Sequence, residues 1–120
     1  MQLIATLALV LACGNAVQAA PNVNYGMQHQ DHDGNVHWVA WKDGKGPCTN
    51  HAQLSVKTKS LCGQKFKIEN TDLKFGDCNN DGFPRKLLYA NGQEIRKCKV
   101  ERKKIGCSGS PHDVVRRGLC

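Results

Sequence analysis

The distribution of seven cysteines is the feature that most constrains what this 120-residue chain can fold into. Cys13 lies in an apolar N-terminal stretch, whereas the other six are spread over the rest of the chain. An even number of widely spaced cysteines beyond an apolar leader is typical of a disulfide framework. We therefore predict three intramolecular disulfides, with a pairing that the spacing alone does not determine, among Cys48, Cys62, Cys78, Cys98, Cys107 and Cys120.

The N-terminal stretch has the features of a secretory signal peptide. Residues 1–13 carry no charged side chain, and small residues follow up to Ala19. The apolar core of about ten residues is too short to cross a bilayer, which needs roughly 20. Because proline at a new N-terminus obstructs cleavage, we place the cut after Ala19 rather than directly before Pro21. The expected organisation is a signal peptide over 1–19 and a single disulfide-rich β domain over 20–120.

These features predict a secreted, extracellular protein without a transmembrane segment, and the host apoplast or a host interface is a candidate location. A domain of about a hundred residues has only a small core, and disulfides compensate by about 2–4 kcal/mol each in the loop-entropy model. Every charged side chain lies beyond residue 19, so the formal charge of +7 belongs entirely to that domain. We expect a monomer that favours anionic surfaces.

Hydrophobic periodicity predicts strands along the whole domain. The segment 36–41 has apolar residues on both alternating sets, as expected for a central strand covered on two sides. It should pair with 23–27 through a turn at 33–35. The segment 54–58 alternates like a half-exposed strand, although flanking residues would also suit a short helix. Further short strands are expected at 66–69 and 73–75, and an edge strand in the tail at 114–120.

Asn91-Gly92 is the strongest local turn signal, because this dipeptide accepts the positive φ angles of a type I′ turn. The turn would join 87–90 to 93–95 and place Leu88 opposite Ile95 and Leu87 opposite Arg96. The combined pattern predicts an all-β fold, a small disulfide-stabilised antiparallel sandwich or barrel of about six or seven short strands.

Positive charge is concentrated in residues 96–104, where six cationic side chains accompany a single carboxylate. In one interpretation this segment contacts an anionic partner, because binding would release counterions from phosphates or sulfates. In the other it is a solvated strand or loop that keeps the protein soluble. We do not expect nucleic acid as the partner, since a secreted protein would first have to enter another cell. The candidate contact residues are Arg96, Lys97, Lys99, Arg102, Lys103 and Lys104.

Three histidines and two aspartates lie within the nine residues 29–37. Imidazole together with carboxylate suits zinc or copper. In a hairpin His29 and His37 could lie opposite each other with His32 at the turn. Polar turn residues without a metal are commoner, so we predict no metal and no cofactor, and these three histidines are the candidates if an ion is bound.

The chain contains no G-x-S-x-G and no H-E-x-x-H motif, so the common signatures of serine hydrolases and zinc proteases are absent. A small secreted ribonuclease-like enzyme would need an acid and a base around a basic phosphate pocket. His37, His51 or His112 could supply them, but nothing in the sequence brings them together. We therefore expect a non-enzymatic protein whose cysteines form cystines rather than catalytic thiols.

With its leader, small cationic domain, six spread cysteines and terminal Cys120, the chain resembles the small secreted cysteine-rich proteins of filamentous fungi. Many of these are effector candidates in plant infection. The resemblance covers the whole chain but rests on layout rather than on a motif. It implies a non-enzymatic virulence effector that binds a host protein or cell-surface component. The alternative is a cationic antimicrobial or membrane-active protein, although the cysteines are more widely spaced than in defensin-like patterns.

Overall fold

The structure is a computed structural model in which residues 20–109 and 111–120 are described. The predicted signal peptide over 1–19 lies outside the described residues. Strands and turns make up the described part of the chain, which contains no helix. The strands are β1 (Val23–Gln30), β2 (Asn35–Lys42), β3 (Ala52–Val56), β4 (Lys65–Ile68), β5 (Thr71–Gly76), β6 (Lys86–Tyr89), β7 (Glu94–Lys97), β8 (Lys99–Ile105) and β9 (Val114–Leu119).

These strands form two antiparallel sheets, which fits a sandwich and confirms the predicted all-β class. Sheet A has the order β3-β2-β1-β9-β8 and sheet B the order β4-β5-β6-β7. The nine described strands exceed the predicted six or seven chiefly because the basic segment itself contributes β8. Within the described ranges, no helix is long and apolar enough to cross a membrane.

The predicted first hairpin is present as β1 and β2, which pair from Val23 opposite Lys42 to Gln30 opposite Asn35. The segment predicted as the central strand is β2, an inner strand, but β1 occupies the middle of sheet A. The tail was predicted to be an edge strand, and this is wrong, since β9 lies between β1 and β8. The charged β8 takes the edge instead, and charged side chains suit a strand that has only one neighbour.

The main core lies between the two sheets. Sheet A contributes Val23, Tyr25, Trp38 and Ala40, and sheet B contributes Phe66, Leu73, Phe75 and Leu87. The Tyr25 ring packs edge-on against Phe75 with 5.5 Å between centroids, and Phe66 stacks on the same ring at 5.0 Å. Aromatic pairs in these arrangements contribute about 0.5–1.5 kcal/mol beyond the burial of their area.

A second, smaller cluster covers the opposite face of sheet A. It consists of Val39, Trp41 and Val114, with Ile105 and Cys107 packed against it. Successive residues of a strand point to opposite faces, so β2 places Trp38 in the main core and Val39 in this second cluster. The prediction that this segment is covered on two sides is confirmed.

The prediction of a type I′ turn at Asn91-Gly92 is wrong. Among these two residues only Gly92 has a positive φ, at 98°. The Gly92 amide donates to the Tyr89 carbonyl and the Tyr89 amide to the Gln93 carbonyl, at 2.9 Å each. This is a three-residue loop that ends in a glycine bulge.

The longer loop changes the register of the β6–β7 hairpin by one residue. Leu88 therefore pairs with Glu94 rather than with Ile95, and a second irregularity restores the predicted pairing of Leu87 with Arg96. Ile95, left between the two pairings, packs against the main core. Adjacent positive φ angles, as a type I′ turn requires, occur instead at Glu69 and Asn70 between β4 and β5.

All six predicted cysteines form disulfides, which confirms three intramolecular bridges: Cys48–Cys107, Cys62–Cys78 and Cys98–Cys120. Cys98, the partner of Cys120, lies at the corner where the chain passes from β7 in sheet B to β8 in sheet A. The same end is held by paired backbone hydrogen bonds between Val23 and Cys120, at 3.0 and 2.8 Å.

Candidate functional site

The first candidate surface is the basic edge strand, which we define as β8, Lys99–Ile105. Six of its seven residues are exposed, and only Ile105 is partly buried. β8 pairs with β9 alone, so one side of its backbone faces away from sheet A. An edge strand offers unpaired N–H and C=O groups along that side.

The cations of the basic edge strand lie on both of its faces. Lys103 and Lys104 are adjacent in the strand and therefore point to opposite faces. Nearby carboxylates neutralise only part of the charge, since Lys99 lies 3.5 Å from Glu101 and Lys104 lies 3.8 Å from Asp113. Exposed pairs at such distances contribute about 0–1 kcal/mol. Within the described ranges, Arg102 and Lys103 are the cations of this strand without an ion pair, and Lys97, which precedes it in β7, also has none.

Arg96 differs from the other predicted contact residues because its guanidinium is already engaged. Its two terminal nitrogens donate to the carbonyls of Pro21 and Ala20, at 2.7 and 2.8 Å. Ala20 is itself buried in the main core. Arg96 therefore anchors the beginning of the described chain, and we exclude it from the contact surface.

Val100 is the one large apolar side chain that the described residues expose strongly, at 57% of its surface. It lies in the middle of the basic edge strand, next to an irregularity between Val100 and Lys103. At that irregularity the half-buried Arg116 of β9 donates to the Glu101 carboxylate, with 2.7 Å between Nη2 and Oε1. Among the described residues, the basic edge strand therefore has cations without ion pairs, one exposed apolar side chain and a backbone edge that pairs with no other strand.

The second candidate surface is the histidine end, which we define as His29, Asp31, His32, Asp33, His37 and His112. The β1–β2 register places Gln28 opposite His37 and Val36 opposite His29. The predicted opposition of His29 and His37 is therefore wrong, because the hairpin is offset by one residue and the two rings point to opposite faces. The structure divides the histidine end into two clusters: His32, Asp33 and His37, and His29, Asp31 and His112.

In the first cluster both ring nitrogens of His37 face acceptors. Nδ1 lies 2.8 Å from the Leu54 carbonyl and Nε2 lies 2.6 Å from an Asp33 carboxylate oxygen. Burial by itself would lower the pKa of His37, but the hydrogen bonds to Leu54 and Asp33 and the carboxylate charge raise it overall. The hydrogen bond to His37 and the one from the Asn35 amide lower the pKa of Asp33 to about 2. His37 of β2 and Asp33 of the adjoining turn therefore form a hydrogen-bonded imidazole–carboxylate pair that favours the protonated ring.

We expect the protein to lose stability as the pH rises through the raised pKa of His37. The folded state holds the His37 proton more tightly than the unfolded chain, so this contribution is complete below the ordinary pKa of about 6.5. Urea unfolding between pH 5.5 and 8.5 should show the decline, and His37→Gln should flatten it. At the acid end the Asp33 contribution should be lost as the pH falls from about 3.9 towards 2. Equal pH profiles for the wild type and His37→Gln would contradict this assignment.

In the second cluster the ring of His112 lies between the other two members. Its Nε2 is 2.8 Å from an Asp31 carboxylate oxygen, and its ring meets that of His29 edge-on with 4.4 Å between centroids. Sequence reasoning placed His29 among the metal candidates but not His112, which is 83 residues further along the chain. Only the pairing of β9 with β1 brings His112 to this end, and no local pattern encodes that pairing.

The histidines considered for a ribonuclease-like enzyme are not brought together. His37 and His112 belong to different clusters of the histidine end. His51 is in neither, and its Nδ1 lies 2.6 Å from the Pro47 carbonyl. It lines a cleft of about 230 Å³ together with Trp41 and Lys45.

No protein-family model matches this chain, and no match was found among curated proteins or solved structures. The functional argument therefore rests on the geometry of the basic edge strand and the histidine end.

Proposed function

We propose that this protein is a secreted, non-enzymatic binding protein of the effector type, and that it acts on a host or competitor by holding an acidic segment of a partner protein along β8. The observation that carries the proposal is the basic edge strand: an edge of sheet A with six exposed residues, free cations and an open backbone. The resemblance to fungal secreted cysteine-rich proteins supports a role during plant infection.

Charge selects the class of partner. Positive side chains along an edge strand repel a second copy of the same edge, which opposes self-association through β8. The same charges attract an acidic strand and accelerate its encounter. From these two effects we expect the protein to remain monomeric and to bind acidic partners at this edge.

The open edge and Val100 favour an extended peptide over a lipid surface. Backbone N–H and C=O groups on a free edge can pair with an added strand, whose alternate side chains then meet those of β8. A lipid surface has no regularly spaced backbone groups that could pair with the N–H and C=O groups of β8. Lys103 and Lys104 also point to opposite faces of β8, so a flat membrane would meet only part of the charge.

The test is binding of a fluorescein-labelled peptide that alternates Glu and Val. We expect saturable binding that weakens strongly between low salt and about 0.15 M, where the Debye length falls to roughly 8 Å. Changing Lys99, Arg102, Lys103 and Lys104 together to Ser should weaken it at least about fourfold, since each of the four exposed charge pairs contributes about 0.2–1 kcal/mol. All four positions are exposed, so the variant should remain folded.

A matched control removes the same number of charges elsewhere. Lys45, Lys57, Lys59 and Lys65 are exposed and lie outside the basic edge strand. Their joint replacement by Ser should leave peptide binding nearly unchanged at 0.15 M salt. An equal loss of peptide affinity in both variants would show that the net charge of the protein, and not the position of the charges on β8, determines binding. Binding to phosphatidylserine vesicles without binding to the peptide would replace the proposal with the membrane-active alternative.

A further inference from the structure

The cluster of His29, Asp31 and His112 has the composition of a transition-metal site. Its ligand atoms, two imidazole nitrogens and one carboxylate oxygen, all lie within 4.8 Å of one another. We propose that these three side chains bind one zinc ion, with the fourth coordination position open to solvent. The sequence led us to expect no metal. That expectation changes because the fold places His112, from the other end of the domain, next to His29 and Asp31.

The donor set favours zinc over the hard cations. Two imidazoles with one carboxylate suit zinc or copper, whereas magnesium and calcium prefer oxygen ligands alone. Zinc bonds of about 2.0–2.1 Å in a tetrahedron need ligand atoms about 3.3 Å apart. The Asp31 oxygen and His112 Nε2 are 2.8 Å apart in a hydrogen bond, so zinc would displace the proton between them, and the His29 ring would have to move closer to both.

Hydrogen bonds fix the backbone around His112, so binding an ion would mainly require side chains to move. The Gln28 side chain is 2% exposed and donates to the His112 carbonyl at 2.7 Å. Next to it, the Asp113 carboxylate accepts from the Cys107 amide at 2.8 Å. His112 and Asp31 are themselves exposed. A fixed backbone with exposed side chains allows the ligands to close around an ion with little rearrangement of the fold.

The neighbouring cluster would lose more hydrogen bonds to an ion. There His37 Nε2 lies 2.6 Å from the Asp33 carboxylate and His32 Nε2 lies 3.2 Å from the Gln53 side-chain oxygen. In the cluster of His29, Asp31 and His112, the ion would replace one hydrogen bond, the one between His112 and Asp31. We therefore assign the ion to the cluster that contains His112 and not to the one that contains His37.

The test is isothermal titration of the purified secreted protein with zinc chloride at pH 7.5. We expect one ion per chain and a weaker affinity at pH 5.5, where protons compete for the imidazoles. His29→Ala and His112→Ala should each lower the affinity at least about tenfold, because even outer-shell changes at metal sites cost about 10–100-fold. Asp31→Asn should also weaken binding, since it keeps the shape but removes the anionic ligand.

His51→Ala and His32→Ala are the matched controls, because each removes one imidazole outside the proposed site. Both should bind zinc like the wild type. Nuclear magnetic resonance of the ring protons supplies a second measurement, in which zinc should shift His29 and His112 and leave His37 in place. The proposal fails if binding is not saturable, if all five histidines respond equally, or if His32→Ala abolishes binding while His112→Ala does not.

Discussion

Removing the Cys48–Cys107 disulfide by changing both cysteines to Ala is expected to destabilise the protein by about 4 kcal/mol. In the loop-entropy model the stabilisation grows with the chain length that a bridge closes. This bridge spans 59 residues, against 16 for Cys62–Cys78 and 22 for Cys98–Cys120. The bridge also packs on the smaller hydrophobic cluster of sheet A, since Cys107 contacts Val39, Trp41 and Val114.

Thermal unfolding of the three double-alanine variants measures this ranking. A domain of this size shifts its melting temperature by about 4–8 °C per kcal/mol, so the Cys48/Cys107 variant should melt at least about 16 °C lower. Each of the other two pairs should cost about 3 kcal/mol in the same model. A Cys48/Cys107 variant that melts above the other two would show that local packing, rather than loop length, sets the contribution of these bridges.

Sequence patterns predicted the parts of this fold that depend on neighbouring residues. The alternation of apolar residues located β1 to β5, and the Asn91-Gly92 turn signal located the hairpin of β6 and β7. The segment 54–58 was predicted as a strand in preference to a helix, which β3 confirms. The six cysteines beyond the leader were predicted to be disulfides, which is also confirmed. These signals work because side-chain period and cysteine count are properties of the chain itself.

Sequence reasoning failed where distant segments decide the outcome. Asn91-Gly92 suits a type I′ turn in isolation, but the longer loop allows Ile95 to reach the core between two sheets. The tail has the pattern of an edge strand, and its inner position depends on β8 taking the edge. His112 joins His29 only through the pairing of β9 with β1. No local pattern contains this information, so the second cluster of the histidine end could not be predicted.

The inner position of β9 also explains the second large effect that we expect. Gly26→Ala should destabilise the protein by about 3 kcal/mol, at the upper end of the usual cost of overpacking. A Cβ at this position would meet the Val115 carbonyl and lie 2.8 Å from the Arg116 Cα atom. These are backbone atoms of β9, which cannot rotate away as a side chain would. β9 cannot retreat either, because β8 lies on its other side and Cys120 ties its end to Cys98.

Gly46→Ala is the matched control for this substitution, since a Cβ there would meet no atom within 4 Å. In that open loop the change should be neutral or stabilise by up to about 1 kcal/mol, because alanine restricts the unfolded chain more than glycine does. Urea unfolding of the two variants separates the causes. A general preference for glycine would lower both midpoints alike, whereas close approach of β1 and β9 lowers only that of Gly26→Ala. An unchanged midpoint for Gly26→Ala would mean that β9 does not lie against β1 at this point, and the inner position of the tail strand would have to be abandoned.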